Sequence, residues 1–274
     1  MKIGKKIFDL ENNCYIMGIL NVTPDSFSDG GLWNSREQAL SHVEQMINEG
    51  AEIIDIGGES TRPNHTQISV EEEIERTAPI IEAVKTHYDI PISIDTYKYE
   101  VAEAAVKAGA DMINDIWGLK YDNGEMARLI AENNLPCCLM HNRTNSEYND
   151  FFEDMLKDMK KTLDIAKKAG IPKENIVIDP GVGFAKSYEN NLEAIDRLDE
   201  FAKRLKYPVL LGISRKSVIG NTLGLPTNER LEGTLALDTI GVMKGACILR
   251  VHDVKENLRA AKMTAAVMKG YKRG

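Results

Sequence analysis

Eight short apolar runs recur along the whole chain, and this repetition limits its fold more than any other feature. Each run is only a few residues long and almost continuously apolar, which is typical of strands buried on both faces of a parallel sheet. The runs lie at residues 15–20, 52–57, 91–95, 111–116, 136–141, 175–179, 208–214 and 246–252. Because parallel strands need long crossovers, the segments between the runs are expected to be helical.

Those intervening segments carry the start and stop signals of amphipathic helices. Ser35 with Gln38 and Ser69 with Glu72 form capping-box patterns, and Pro79 is expected to kink the second of these helices. The expected helix ends are marked by glycines at Gly50, Gly109 and Gly170. The helical periodicity thus alternates with the strand-like runs.

Eight strands, each followed by a helix, predict an α/β fold in which the strands close into a (β/α)₈ barrel. We expect residues 1–274 to form one domain of this kind. Residues 2–14 precede the first strand and are expected to form a small hairpin that closes the barrel bottom. The alternative is a doubly wound open sheet, which normally has fewer strands and one dominant glycine-rich turn. No G-x-G-x-x-G motif follows the first strand here.

The charge balance excludes some classes of partner. The chain has 34 Lys and Arg against 42 Asp and Glu, a net charge of −8, which argues against a broad electrostatic grip on nucleic acid or an anionic membrane. No stretch approaches the length of a membrane span, and the N-terminus lacks the apolar segment of a signal peptide. None of the four cysteines has zinc-site spacing, so we expect buried thiols in a cytoplasmic protein.

Polar residues stand at the C-terminal tip of nearly every expected strand. They are Asn21, Asp55, Asp95, Asn114 with Asp115, His141, Asp179, Ser214, and Arg250 with His252. Catalytic groups of barrels come from these tips, so their convergence predicts a site. Strand alternation adds that Asn114 and Asp115 cannot both point inward, whereas Arg250 and His252 share a face and can reach one anion.

Three polar loops follow the first, second and seventh strands. They read NVTPDSFSDGG at residues 21–31, GGESTRPN at 57–64 and SRKSVIG at 214–220. The length and polarity of the first two favour a mobile lid. The third places Lys216 and Ser217 at an expected helix start, where backbone amides and the helix dipole favour an anion.

At these motifs the chain closely resembles the dihydropteroate synthase family, over essentially its whole length. The resemblance is carried by seven ordered blocks: GILNVTPDSFSDGG (18–31), GGESTRP (57–63), SIDTYK (93–98), INDIWG (113–118), IDPGVGFAKS (178–187), GISRKSVIG (212–220) and RVHDV (250–254). One departure is Asn64, where the family usually has glycine after ESTRP; asparagine is the best non-glycine substitute in a left-handed conformation.

The resemblance implies a (β/α)₈ barrel that joins hydroxymethyl-dihydropterin pyrophosphate to para-aminobenzoate, giving dihydropteroate and pyrophosphate. By the family pattern, the pterin would be held by Asp95, Asn114, Met140, Asp179, Phe184 and Lys216. The pyrophosphate would be bound by Asn21, Thr61, Arg62, Arg250 and His252, with Asn21 ligating a magnesium ion. The aminobenzoate site would be shaped by Phe27, Pro63 and Ser217.

The same pattern implies that catalysis depends on Asp95, Lys216 and Arg250, and that the protein is a homodimer. Two alternatives stay open at this point. One is a pterin-binding methyltransferase domain with a corrinoid partner, against which the SRKS and NVTPDSFSDGG segments argue. The other is a non-catalytic folate-binding homologue, which would be expected to lose Asn21 or one of the three catalytic candidates, and all are present.

Overall fold

The computed structural model describes residues 1–23, 31–59 and 67–270. Within them, eight parallel strands close into a barrel, which confirms the predicted (β/α)₈ fold. The barrel strands are β3 (Tyr15–Asn21), β4 (Ile53–Gly57), β5 (Ile92–Asp95), β6 (Met112–Asp115), β7 (Cys137–Met140), β8 (Ile176–Asp179), β9 (Val209–Leu211) and β10 (Ala246–Val251). Each strand pairs with the next along the chain, and β10 pairs with both β9 and β3, which closes the sheet.

Ten helices lie in the described ranges, two more than one per strand. They are α1 (Gly31–Glu49), α2 (Val70–His87), α3 (Tyr99–Ala108), α4 (Glu125–Glu132), α5 (Phe151–Ala169), α6 (Tyr188–Asp196), α7 (Leu198–Leu205), α8 (Ser217–Leu223), α9 (Leu231–Met243) and α10 (Val254–Gly270). Two helices follow β8, separated at Arg197, and two follow β9, separated after Gly224, whose φ of +70° ends α8.

The predicted helix signals hold in part. Ser69 caps α2 by accepting a hydrogen bond from the backbone N–H of Glu72 at 3.1 Å, and the helix continues through Pro79. Left-handed Gly109 and Gly170 end α3 and α5 as predicted. The capping box at Ser35 was wrong, because α1 already begins at Gly31 and Ser35 therefore lies inside the helix.

A short antiparallel hairpin, β1 (Lys2–Ile3) with β2 (Lys6–Ile7), precedes the barrel as predicted. Its buried side chains, Ile3 and Phe8, pack into the lower barrel interior against a layer formed by Met17, Ile53, Met112, Cys138, Val177, Leu210, Cys247 and Ile248. At the same end, Lys269 near the end of α10 donates hydrogen bonds to the Asn12 carbonyl and to Asn13 Oδ1. The bottom of the barrel is thus filled by apolar side chains.

The cysteines are free thiols, as the sequence predicts. Cys137, Cys138 and Cys247 are buried and Cys14 is partly buried, and all four are free. Among the helices of the described ranges, none is both long enough and apolar enough to cross a membrane.

Strand alternation decides which residues reach the upper barrel interior. On β5, Ile92 and Ile94 pack outward against the helices, so Ser93 and Asp95 face inward. The same alternation sends Ile54 and Ile56 of β4 outward. It turns inward Asp55 of β4 and one polar or long side chain on each of four further strands: Asn114, Met140, Asp179 and Arg250. The interior is therefore apolar at the bottom and polar at the strand tips.

Candidate active site

Arg250 joins the carboxylates of two neighbouring strands, β4 and β5, near the top of the barrel. Its Nε lies 2.6 Å from Asp55 Oδ2, and its Nη2 lies 2.5 Å from Asp95 Oδ2. Asn114 Nδ2 donates to the same Asp55 Oδ2 at 3.1 Å. These four residues, which we call the polar floor, come from β4, β5, β6 and β10 and form one hydrogen-bonded unit. Of the neighbours Asn114 and Asp115, it is therefore Asn114 that points inward.

The polar floor has unusual electrostatics because its charges are buried. Burial raises the pKa of Asp95 to about 7, with further repulsion from Asp55 and Glu73, although Arg250 opposes the shift. Burial alone would lower the pKa of Arg250, but Asp55 and Asp95 outweigh it and raise that pKa above its ordinary value. Within the described residues, Asp55 Oδ1 and Asp95 Oδ1 are buried without a hydrogen-bond partner. Asp95 Oδ1, in the upper layer of the floor, is thus available as an acceptor for a ligand that carries N–H groups.

Lys216 and Asp179 bring a second pair of opposite charges to the same end of the barrel. Lys216 immediately precedes α8, and its Nζ donates to the Val182 carbonyl and lies 4.6 Å from the centroid of the Phe184 ring. Asp179 Oδ1 accepts the Gly181 N–H at 2.6 Å. Burial lowers the pKa of Lys216 to about 8, against the attraction of Asp179, and burial raises the pKa of Asp179.

An apolar wall stands beside the polar floor. Tyr97, Ile116 and Met140 are buried together, with Trp117 and Phe184 packed against them. Met140 and Phe184 were among the candidates from the sequence, whereas the other three were not. A flat ring that exposes N–H donors at its edge and apolar faces above and below would be complementary to a floor and wall of this kind.

His252 and Ser217 lie where the loop after β9 meets the end of β10. His252 Nδ1 lies 3.0 Å from Ser214 Oγ. Arg215 has a left-handed φ of +58°; its N–H donates to Thr234 Oγ1 at 3.1 Å and its carbonyl accepts from Arg230 Nη1 at 3.0 Å. The start of α8, which carries exposed Ser217, is therefore held from α9 on its N-terminal side.

A buried lysine cluster joins residues near the end of β4, the start of α2 and the start of α3. Lys98 Nζ is 2.6 Å from Glu59 Oε2, 2.8 Å from Glu73 Oε2 and 2.8 Å from the Ile68 carbonyl. The Tyr97 hydroxyl donates to Glu59 Oε1 at 2.9 Å. The cluster therefore ties residues 59 and 68, on either side of segment 60–66, to the start of α3. Lys98 and Glu59 were not among the candidates predicted from the sequence, because their partners are tens of residues away along the chain.

Two polar strand tips do not join the site. Asp115 turns outward and accepts the N–H groups of Trp117 at 2.8 Å and Leu119 at 2.6 Å, which shapes the next loop. His141 is fully buried outside the barrel interior, with Nδ1 2.9 Å from Lys186 Nζ. The outward turn of Asp115 agrees with the expectation that it and its neighbour on β6 cannot both point inward. The expected convergence was wrong for His141, because the preceding residue of β7 faces the barrel interior and strand alternation turns His141 away from it.

The remaining candidates lie at the first two strands and loops. Asn21 is the partly buried last residue of β3 and pairs in register with Gly57. Gly57 in turn pairs with Asp95, so Asn21 lies two strands away from Asp95, one of the two carboxylates of the polar floor. The site candidates Phe27, Thr61, Arg62 and Pro63 lie outside the described residues. So do the expected lid and Asn64, the residue that departs from the family pattern.

Comparisons with known proteins agree with this architecture. The family described as pterin binding enzyme matches residues 17–252. The chain is 58% identical to a dihydropteroate synthase of Clostridium beijerinckii, covering 98% of this chain and 100% of the relative. It is 53% identical to the dihydropteroate synthase of Bacillus subtilis, covering 92% of this chain and 88% of the relative.

Solved structures also resemble this chain in fold and in sequence. A dihydropteroate synthase of Clostridium difficile, crystallised in the presence of pteroic acid, superposes with a TM-score of 0.92 at 50% identity, covering 95% of this chain and 99% of that one. The Xanthomonas albilineans dihydropteroate synthase with 4-aminobenzoic acid gives a TM-score of 0.90 at 40% identity, covering 95% of each chain. The chain therefore belongs to the pterin binding enzymes and, within them, to the dihydropteroate synthase family.

Proposed function

We propose that this protein condenses hydroxymethyl-dihydropterin pyrophosphate with para-aminobenzoate, giving dihydropteroate and pyrophosphate. The observation that carries the proposal is the polar floor of Asp55, Asp95, Asn114 and Arg250 beside an apolar wall. The similarity of this chain to structures studied with pteroic acid and with 4-aminobenzoic acid supports the assignment of both the pterin and the aminobenzoate half of the product.

Pterin recognition follows from the unpaired acceptors of the floor. A pterin carries ring N–H and amino groups on one edge, and a buried acceptor left without a partner costs about 1–3 kcal/mol. Asp95 Oδ1 is such an acceptor in the described part of the chain, and Asp179 and Asn114 add further carboxylate and amide oxygens. The wall, with Met140 and Phe184, would cover the ring faces. We propose that these groups together select a pterin.

The charges then follow the direction of the reaction. The methylene C–O bond breaks with its electron pair going to pyrophosphate, and the aminobenzoate nitrogen lone pair forms the new C–N bond before that nitrogen loses its proton. Because an aromatic amine is a weak nucleophile, bond breaking runs ahead and leaves positive charge on the pterin-methylene. In this proposal, Asp95 and Asp179 stabilise that charge as fixed, preorganised groups.

The departing pyrophosphate needs cationic partners. Among the described residues, Arg250 gives Nε and Nη2 to the two carboxylates, which leaves Nη1 for a phosphate oxygen. His252 lies two residues further along the same face as Arg250, and Ser217 adds the backbone N–H of the first residue of α8. We propose that these groups bind pyrophosphate, with Thr61 and Arg62 as further candidates from the resemblance. No serine or cysteine nucleophile is required.

The residues present fit a magnesium ion that arrives with the pyrophosphate. Asn21 offers an amide oxygen at the tip of β3, and Mg²⁺ is commonly held by one or two protein oxygens together with substrate phosphates. In the ranges 1–23, 31–59 and 67–270, no three His, Cys, Asp or Glu side chains form a group that could hold a resident metal. We propose that Asn21 is the protein ligand. When bound, the ion would offset the negative charge of the leaving group.

We also propose a homodimer in a reducing, cytoplasmic location. Helices after β9 expose large apolar side chains on the barrel exterior: Leu223, Ile240, Met243, Met263 and Val267. Exposed apolar side chains concentrated on one part of a surface favour a protein interface. The free thiols support the reducing location. Analytical ultracentrifugation tests the dimer.

One assay tests the reaction against both alternatives. The purified protein is mixed with hydroxymethyl-dihydropterin pyrophosphate, para-aminobenzoate and magnesium, and dihydropteroate and pyrophosphate are measured. Formation of both products supports the proposal. Binding of the pterin without product would instead indicate a non-catalytic homologue. Methyl transfer between a methylated reduced folate and a corrinoid protein would indicate the methyltransferase alternative.

A further inference from the structure

Asp55 lies beneath the site and has no role assigned so far. It is fully buried, and in the register of β4 with β5 it sits opposite Ser93, two residues below the level of Asp95. Two residues along a strand correspond to about 7 Å, so Asp55 forms the deeper layer of the polar floor. A ligand resting on Asp95 would not be expected to contact it directly.

A single oxygen of Asp55 holds two functional candidates at once. Asp55 Oδ2 accepts from Arg250 Nε at 2.6 Å and from Asn114 Nδ2 at 3.1 Å. Only the nitrogen of an asparagine amide donates hydrogen bonds, so this contact determines which way the Asn114 amide faces. The nitrogen points down to Asp55, and the carbonyl oxygen on the other branch is left for a ligand above.

We propose that Asp55 is a positioning residue for pterin recognition: it fixes the Asn114 amide with its oxygen toward the ligand and holds the Arg250 guanidinium across the floor. This inference rests on the proposed function. The ligand class is a fused bicyclic ring that presents an N–H donor to Asn114. Without an acceptor beneath it, the amide could face either way, and one of its orientations would present a donor to a ring donor.

The proposal makes a specific demand on position 114. A carboxyl group there can take the place of the amide only while it is protonated, because only then can it donate to Asp55. Asn114→Asp should therefore bind hydroxymethyl-dihydropterin at least about tenfold more weakly than the wild type at pH 8, and the loss should shrink as the pH is lowered to 5.5. Asn114→Ala, which has no titratable group, should be weak at both values.

Other charged groups in the site also respond to pH, so their effect on binding has to be removed by comparing each variant with the wild type at the same pH. Asp95, Asp179, Lys216, Glu73 and Arg250 are the same in all these proteins. The measured quantity is therefore the ratio of variant to wild-type dissociation constant at each pH, obtained by calorimetric titration. A ratio for Asn114→Asp that does not change with pH would overturn the proposal.

Changing Asp55 gives an independent arm. Asp55→Asn should raise KM for the pterin substrate at least about fivefold and leave KM for para-aminobenzoate within twofold, because only the pterin contacts depend on it. It should also relieve part of the pH 8 defect of Asn114→Asp, since two facing carboxylates are no longer present. Asp111→Asn is the matched control: its carboxylate accepts from Lys85 Nζ and Ile92 N–H, both at 2.9 Å, at the opposite end of the barrel. The control should keep the wild-type pterin KM.

The outcomes separate this inference from the proposed function. A wild type that makes no dihydropteroate contradicts the function, and the coupling between positions 55 and 114 is then read in the free energy of unfolding from urea titrations. If Asp55→Asn folds poorly and adding Asn114→Asp restores folding at pH 8, the contact is supported. Strictly additive effects of the two changes, on binding or on unfolding, overturn the proposal.

Discussion

Arg215 and Asp253 form a two-point ion pair that joins the loop after β9 to the start of α10. Arg215 Nε lies 2.9 Å from Asp253 Oδ2, and its Nη2 contacts Oδ1. The pair holds a residue whose φ of +58° is costly for a side chain other than glycine. Because Lys216 and Ser217 follow directly, the geometry of this pair is transmitted to the start of α8.

Asp253→Ala should therefore impair the reaction more than the fold. Without its partner, Arg215 can relax from the left-handed conformation and displace Lys216, so we expect kcat/KM to fall at least about tenfold, or roughly 1.4 kcal/mol in the transition state. The matched control is Glu153→Ala, which removes the carboxylate paired with Arg204 on the outer surface. Loss of that exposed pair should change both kcat/KM and stability little. Equal kinetic losses in both variants would contradict the assignment.

Asp95→Asn should lower turnover at least about tenfold, because the amide cannot stabilise positive charge on the pterin-methylene. Its pKa of about 7 adds a pH signature: the carboxylate form, and with it kcat/KM, should increase as pH rises through 7. The raised pKa also means that the folded state binds an extra proton between pH 3.8 and about 7, so this residue makes stability fall across that window. Both trends should be weaker in the variant than in the wild type. Normal turnover in Asp95→Asn would remove Asp95 from the mechanism.

Lys98→Met tests the buried lysine cluster. It removes the cation that contacts both the buried Glu59 and the buried Glu73 carboxylate, and we expect a loss of about 3–5 kcal/mol in the free energy of unfolding. Lys107→Met is the control, since Lys107 pairs with Glu103 on the exposed face of α3. It should cost less than about 1 kcal/mol. Urea denaturation of the two variants measures the difference, and similar losses would show that the cluster is not a structural anchor.

Lys186 should give the stability of the protein a distinct pH dependence. Its Nζ contacts His141 Nδ1 and the Gly181 carbonyl, both at 2.9 Å, and the Phe184 carbonyl at 3.1 Å. Burial lowers its pKa to about 7. Between that pH and 10.5 the unfolded chain binds a proton that the folded protein lacks, so stability rises with pH in this window.

Lys186→Met should therefore flatten that rise. The free energy of unfolding is measured at pH 7 and pH 9.5 for the wild type and the variant. The wild type should gain more stability over this interval than Lys186→Met does. Parallel pH curves would mean that Lys186 keeps an ordinary proton affinity in the folded protein.

The barrel was predictable because strand and helix periods alternate in the sequence itself. Period-two alternation along the strands also accounts for the inward faces of Asp95, Asn114, Asp179 and Arg250. The binding roles of these residues stay predictions, and so does the role of Asn21 as a magnesium ligand. The family resemblance supplied the substrates, which strand patterns alone do not specify.

The contacts that organise the site were not predictable, since they join distant parts of the chain. Arg250 and Asp55 are 195 positions apart, and nothing local indicates that one guanidinium spans two carboxylates. The contact of His141 with Lys186, 45 positions later, is equally invisible in the local sequence. The second helices after β8 and β9 arise at short breaks, near Arg197 and Gly224, whose signals are weaker than those of the barrel strands.

The contact of Lys269 with Asn12 and Asn13 brings both ends of the barrel sequence together at its apolar bottom. The order of the strands along the chain is therefore separable from their order in space. A circular permutant could be opened in the bottom turn at residues 133–136 and joined by a linker between the present ends. In that protein every strand would keep its present neighbours in the barrel. Such a permutant would begin its synthesis at β7 and still assemble the polar floor from the same four strands.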